Sequence, residues 1–389
     1  MRLLLRRTGL LLLCLLLLGG CWDYRGLNEQ SVVAGIAVDL GEEEQGFRLT
    51  FELVDLTGAE NGQFGSFLLS TEGESLAEAI YDAYEKLHGN VYLGALDVVI
   101  VSRQLAEREG IAPLVDYLIR SPKVRNSLYV AVAASETAAE LLTPVEEEEG
   151  AGQIISTALA ESLRPRRRAA RNTIGAPACY EVFKILQTDS SALALPLINT
   201  AEADDIPFAL EGLALFSGER MSGKLDASDL SLYLLAATGL RDRGFAVDAE
   251  GPAGETERVH IVSRSSRPCI RFSQEGGSLR FFLDIHMQAE AVQLPPSWGA
   301  ADGEMLRRIE VGAKETLEYQ LRELIPRLQR EGHDILGLAE LVRISAPGLW
   351  EQIAGDWDLW FSESVMDIQV RVTVQNAGML SDVSLGMGR

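Results

Sequence analysis

Leu10 to Leu18 is a leucine run broken only by Cys14, and it stops at Gly19-Gly20-Cys21. Arg2, Arg6 and Arg7 stand ahead of it. An apolar core of about a dozen residues falls short of the ~20 that a helix needs to cross a bilayer. Behind a basic start it reads as the hydrophobic region of a signal peptide, to be set aside before the fold is considered. Leu18-Gly19-Gly20-Cys21 has the form of a lipobox: an apolar residue, two small ones and a cysteine. Small side chains fit beside the cut, and the thiol is the nucleophile that takes a diacylglycerol. Residues 1–20 are therefore expected to be a leader, and Cys21 the lipidated first residue of a chain that folds outside the cytoplasm. Two acyl chains on one cysteine meet the usual requirement for stable anchoring.

The charge balance narrows the partners. The 389 residues include 57 acidic and 35 basic ones, a formal net charge of −22. Phosphate binding needs a basic surface, so nucleic acid is excluded as a partner. The same charge repels anionic headgroups, which leaves covalent lipid as the expected anchor. After Cys14 and Cys21, only Cys179 and Cys269 remain. Two thiols in an exported chain read equally as one disulfide or as two free groups.

Beyond the leader, strand and helix patterns alternate. Ser31 to Asp39 reads as a strand paired with Phe47 to Leu56, where Phe47, Leu49, Phe51 and Leu53 share one face. Ser75-Leu-Ala-Glu78 has the form of a capping box and opens a helix through Leu87. Strands are expected at Leu96 to Val101, Leu128 to Ala134 and Ala194 to Ile198. Helices are expected at Ile111 to Ile119, Ile154 to Leu163 and Tyr180 to Leu186. Glu202 to Pro207 reads as a linker, Phe208 to Phe216 as a strand, Asp229 to Ala237 as a helix and Arg241 to Gly254 as a polar loop. Leu279 to Val292 reads as a long strand and Glu304 to Gln329 as a long helix, kinked near Pro326. Glu310 with Lys314 and Glu318 with Arg322 form i,i+4 pairs assigned to its wet face. Met366, Ile368, Val370, Val372 and Val374 alternate with polar residues, the mark of a half-buried strand.

The expected class is α/β (α+β mixed), with mixed sheets flanked by helices in about three domains. They are an N-terminal α/β domain at 21–200, a middle strand-turn-helix unit at 201–270 and a C-terminal α/β domain at 271–389.

Chemistry is harder to find. His88, His260, His286 and His333 are scattered and form no HExxH pair. There is no nucleophile elbow, Walker loop or dinucleotide fingerprint. Asp204-Asp205 and Asp356-Trp357-Asp358 are read as surface carboxylates. No enzyme activity, cofactor or metal is expected. One local oddity stands out in so acidic a chain: Arg164, Arg166, Arg167, Arg168 and Arg171 crowd together. They read either as a docking patch for an acidic partner or headgroups, or as a solvated loop that balances Glu146 to Glu149.

Several landmarks together resemble the Ger(x)C family, the C subunits of spore germinant receptors. They are Cys21-Trp22-Asp23 followed by Glu29 and Gly35-Ile36-Ala37-Val38-Asp39, then Glu211 to Phe216 with Lys224-Leu225. Asp334-Ile335-Leu336-Gly337-Leu338, Trp350, Phe361 and Asn376-Ala377-Gly378 complete the series. The resemblance implies a three-domain α/β fold without enzyme activity. It implies a lipid anchor on the outer face of the spore inner membrane. It also implies action with integral-membrane A and B subunits in the response to nutrients. The competing expectation is a solute-binding lipoprotein that captures a small nutrient itself. That architecture calls for two similar lobes around a cleft.

Overall fold

The computed structural model describes residues 30–41, 46–56, 65–88, 90–143, 154–164, 176–188, 192–203, 206–298 and 302–375. A first sheet is built from β1 (Ser31–Leu40), β2 (Phe47–Asp55), β3 (Gly65–Gly73), β4 (Val91–Tyr92), β5 (Val98–Ser102), β6 (Tyr129–Ala133), β7 (Leu193–Ala203), β8 (Ile206–Ser217) and β9 (Arg220–Asp226). Its order is β3-β2-β1-β5-β6-β7-β8-β9, with the short β4 beside the start of β1. The middle strands β1, β5, β6 and β7 run parallel, and antiparallel hairpins extend the sheet at both ends.

The helices of this part are α1 (Leu76–Lys86), α2 (Arg103–Arg108), α3 (Ala112–Arg120), α4 (Ile155–Leu163) and α5 (Cys179–Leu186). Helices α1, α2, α3 and α5 share a core with one face of the sheet. The other face is covered by α4 and the short helical turn Ala139–Leu142. Covering both faces explains the apolar run Val98 to Val101 of β5, all five residues of which, Ser102 included, are buried. Helix α1 starts where its sequence predicts, with Ser75 Oγ accepting from Glu78 N at 3.2 Å, but the Glu78 carboxylate accepts from Glu74 N at 3.0 Å, one residue before the Ser75 N–H of a capping box.

A second sheet has the order β10 (Arg243–Glu250), β11 (Thr256–Glu275), β12 (Ser278–Gln293) and β13 (Val365–Val374). It is antiparallel except for the parallel pair β12–β13. Helices α6 (Ala227–Ala237) and α7 (Gly303–Arg330) pack on its apolar face. Three short helices, α8 (Leu338–Ser345), α9 (Pro347–Ile353) and α10 (Trp357–Glu363), pack with Leu279 and Phe281 of β12.

Strand β8 joins the two parts. Ala214 and Phe216 face the core of the first sheet, while Leu213 and Leu215 belong to the core formed by α6, α7 and the second sheet. Successive side chains of a strand point to opposite faces, so one strand serves two cores. His333, just past α7, is buried against the same hairpin. A Cβ on Gly223 of β9 would stand 2.8 Å from its Nε2, so only glycine leaves room for the ring there.

The architecture is the expected mixed α/β one, and several local expectations need correction. Arg241 to Gly254 is largely strand: in β10, Phe245, Val247 and Ala249 are buried while their neighbours face water. The polar residues of that alternation gave the impression of a loop. The expected linker at 202–207 falls on the β7–β8 hairpin, where Ala203 pairs with Ile206. Residues 200 and 201 both lie inside β7. Helix α7 continues through Pro326 to Arg330. Glu318 does pair with Arg322, at 3.0 Å, but it is buried and also accepts from Val370 N at 3.0 Å. Glu310 accepts from Val374 N at 2.9 Å. Strand β13 lies at the edge of its sheet, and these two N–H groups point away from β12. The helix carboxylates supply acceptors that no neighbouring strand provides. Cys179 is buried and Cys269 exposed, and both are free thiols.

The alternation of β13 is realised, with Ile368, Val370, Val372 and Val374 buried. Val370→Asp is expected to destabilise the fold by more than about 4 kcal/mol, since it buries an unpaired charge. Arg371→Ser, on the exposed face beside His286 and Gln369, should stay within about 0.5 kcal/mol of the parent. Chemical-denaturation curves of the two variants check this, and equal losses would show the strand is not packed as described.

Candidate functional site

The landmarks that suggested a family turn out to hold the backbone together. Asp39 of β1 accepts from Ala138 N at 2.7 Å and Ala139 N at 3.2 Å, at the start of the helical turn. Burial raises its carboxyl above the usual carboxylate range, opposed by those two N–H bonds. In β1, a Cβ on Gly35 would fall 1.8 Å from Ser156 Oγ, so glycine lets the first turn of α4 lie directly on the strand. The carboxylate of Glu52, in β2, meets that turn from beside it. It accepts from Ile155 N at 2.8 Å, Ser156 N at 2.7 Å and Ser66 Oγ at 2.9 Å.

The Asp334 to Gly337 element works in the same way. Asp334 is buried, and its two oxygens accept from Leu338 N at 2.8 Å and Ala339 N at 2.7 Å. The carboxyl satisfies donors at the first turn of α8 that lack intrahelical partners, and in its ionised form its charge matches the helix dipole. Gly337 has φ of 72°, a left-handed conformation that glycine takes without strain. Burial dominates the electrostatics and lifts the Asp334 pKa to about 7. Burial likewise holds His333 below the ordinary imidazole value.

A surface cleft of about 760 Å³ lies where the end of α5 faces α8 to α10. Gln187 and Thr188 form one side, and Arg343, Trp350, Asp356 and Asp358 lie on the other. Trp357, between the two carboxylates, is buried. Its ring lies 5.4 Å from that of Trp350 and 6.2 Å from that of Phe361. The sequence pattern Asp-Trp-Asp thus anchors a helix start on an aromatic cluster and leaves its acids at the cleft. Arg343 is held by Glu340 at 2.6 Å. This lining suits a small polar molecule or a loop of another protein. It offers no aligned nucleophile and base.

The other expected site residues are dispersed. Arg164 pairs with Glu161 at 2.9 Å at the end of α4. Arg166, Arg167, Arg168 and Arg171 lie outside the described residues, as do Cys21, Glu146 to Glu149 and Asp204-Asp205. His286 meets Arg371 at 3.0 Å. Among the described residues, no group of three or more His, Cys, Asp or Glu side chains could hold a metal ion. Sequence reasoning passed over Glu52. It lies with Arg48 and Thr50 on the polar face of an alternating strand, opposite Phe51, so nothing in the local pattern marks it.

Asp334 gives a pH prediction. In the folded chain its carboxyl keeps a proton up to about pH 7, against a usual value of 3.8. The folded state therefore binds more protons than the unfolded state between these values, and stability falls as pH rises through that window. Asp334→Asn keeps an acceptor and removes the titration. The stability of wild type relative to this variant should decline from pH 4 to 7, by at most about 4 kcal/mol. Denaturation at a series of pH values checks this, and a difference that does not change with pH would refute it.

Comparison with known proteins covers the same span as this framework. Residues 23–200 match the model described as the spore germination protein N-terminal domain. Residues 211–378 match the one described as spore germination B3/GerAC like, C-terminal. Spore germination protein A3 of Bacillus subtilis (strain 168) is 24% identical over 382 residues, covering 94% of this chain and 96% of that protein. Spore germination protein GerQC of Bacillus cereus is 22% identical over 371 residues, covering 95% of this chain and 97% of that protein. The crystal structure of the GerBC protein has a similar fold, with a TM-score of 0.56 at 18% identity, over 91% of this chain and 100% of that one. The chain belongs to the Ger(x)C family of spore germination proteins.

Proposed function

We propose that the chain is a lipid-anchored, non-catalytic subunit of a spore germinant receptor. It acts with integral-membrane A and B subunits in nutrient-triggered germination. The observation that carries this reading is the placement of the family match, which begins at residue 23, directly behind Cys21, and runs to residue 378. The leader and its cysteine then stand where an anchor would. No helix among the described residues is long and apolar enough to cross a membrane. Residence at the outer face of the spore inner membrane would accordingly depend on the lipid of Cys21. Framework carboxylates that bind backbone N–H groups suit a rigid body that other subunits can grip.

A second reading, direct capture of a small nutrient, draws on the cleft beside Trp350 and Arg343. The two sheets, one of nine strands and one of four among the described residues, are not the matched lobes of a solute-binding protein. Calorimetric titration of the purified chain with amino acids and sugars separates the two readings.

Cys21→Ala should abolish incorporation of a fatty-acid probe and move the protein from the membrane to the soluble fraction. Equal labelling and unchanged membrane association in the variant would rule out the anchor. Isolation of the native protein from spore membranes should bring integral-membrane subunits with it, and repeated isolation without them would count against the receptor assignment.

A further inference from the structure

The described chain begins at Gln30, nine positions after Cys21. Nine residues span at most about 30 Å when fully extended. A lipid on Cys21 therefore holds the first residues of β1 close to the bilayer, and the surface around Gln30 has the shortest path to it.

That surface has an unusual composition. Ser31 N donates to Asn90 O at 2.7 Å, and Val32 pairs with Tyr92. Gln30, Tyr92, Lys123 and Arg125 line one shallow depression of about 530 Å³. Lys123 reaches from it to α1, with its Nζ 3.1 Å from Tyr84 Oη and 4.5 Å from the Tyr84 ring centre. Tyr84 in turn stands 6.4 Å from Tyr81, ring to ring. Contacts thus link Lys123, at the edge of that depression, through Tyr84 to Tyr81 in the middle of α1. Tyr81 and Tyr92 are 67% and 39% exposed, although each has a ring to bury. Three of the chain's nine tyrosines share this one face.

Tyrosine is the residue that settles at a membrane–water interface, its ring among the upper acyl carbons and glycerol groups and its hydroxyl in water. Lysine and arginine beside it reach phosphates. Of the acids around it, Asp97 is held by Arg125 at 2.6 Å, Asp116 by Arg120 at 2.8 Å and Asp82 by Lys86 at 2.8 Å, while Glu78 and Glu85 of α1 add negative charge beside Tyr81. In a chain with a net charge of −22, a tyrosine-bearing face whose cations offset most of its acids meets headgroups with less repulsion than the net charge alone would give.

We propose that the face formed by Tyr81, Tyr84, Lys123 and Tyr92 lies on the lipid headgroups, so that the anchor and this patch together fix one orientation of the body on the membrane. This rests on lipidation at Cys21. The contact is weak alone, because a few interfacial rings do not hold a protein to a bilayer, and becomes effective once the lipid has raised the local concentration.

The test uses the full-length lipidated protein reconstituted in vesicles of phosphatidylcholine and phosphatidylglycerol. A Cys269→Ser background removes the exposed thiol, and burial pushes Cys179 up to about 12, which keeps it unreactive to labelling. An environment-sensitive dye is then placed by Glu85→Cys, one helical turn from Tyr81, or by Tyr319→Cys on α7 as a reference. Headgroup nitroxide lipids should quench the dye at 85 and leave the dye at 319 bright. Adding Tyr81→Ser and Tyr92→Ser should abolish the quenching at 85 while the protein still floats with the vesicles. Equal quenching at both positions, or none at 85 in floating protein, overturns the orientation and leaves the anchor standing. Failure of the parent protein to float overturns the anchor itself. Shielding of position 85 from aqueous iodide without nitroxide quenching would assign the patch to a second copy of the chain and overturn the proposal. In native membranes, a photo-crosslinker at position 92 should join lipid, and a crosslink to a polypeptide in its place would do the same.

Discussion

Carboxylates that accept from backbone N–H groups hold this fold together across long sequence distances. Asp39 reaches Ala138 and Glu52 reaches Ile155, spans of 99 and 103 residues. Glu318 and Glu310 cap the outer edge of β13 across 52 and 64 residues. Asp334 fixes α8 within its own turn. A charged acceptor contributes about 1.5–3 kcal/mol per bond, roughly twice a neutral one. More of the stability lies in direction than in amount. Each carboxylate specifies where a helix starts or where a sheet stops, which apolar contact does not do. Part of the chain's acidity is therefore architectural, and only the remainder faces solvent as net charge.

These links also explain which parts of the fold were legible in the sequence. Runs governed by a single periodicity were plain, as in β12, α7 and β13. The apolar run of β5, Val98 to Val101, was plain because both its faces are covered. What escaped were residues whose environment depends on a distant partner. Glu318 sits at a regular i,i+4 spacing to Arg322 and reads as a surface ion pair, because nothing local announces that Val370 N–H lies above it. Glu52 continues the polar face of an alternating strand and reads as solvent-facing, and its purpose emerges only when α4 is laid against it. Strand β10 was hidden by polar residues on its wet face, although Phe245, Val247 and Ala249 keep a period of two. The candidate site was less legible still. The Asp-Trp-Asp pattern did not disclose that its tryptophan would be core and its acids cleft. The tyrosines of α1 and β4 carry no spacing signal, since their shared face is created by the approach of Lys123 from a loop beyond α3.

Strand β8 has a comparable part between the two sheets. Its alternate residues enter different cores, so displacement of the second sheet would disturb the packing of the first. His333 against Gly223 adds a second point of contact at the same hairpin. A body of this kind transmits a local perturbation at β8 and β9 in both directions. In the proposed receptor role it would present fixed surfaces, with the cleft beside Trp350 between the two parts and the tyrosine face on the first.

The position of β1 has a mechanical meaning. It is bonded on one side to β2 and on the other to β5. Tension applied along the strand axis from its N-terminal end would load the bonds to both neighbours together, in shear. An edge strand pulled crosswise would instead release its bonds one at a time. A lipid on Cys21, if present as proposed, would thus attach the chain through a strand bonded on both sides, not through an edge strand.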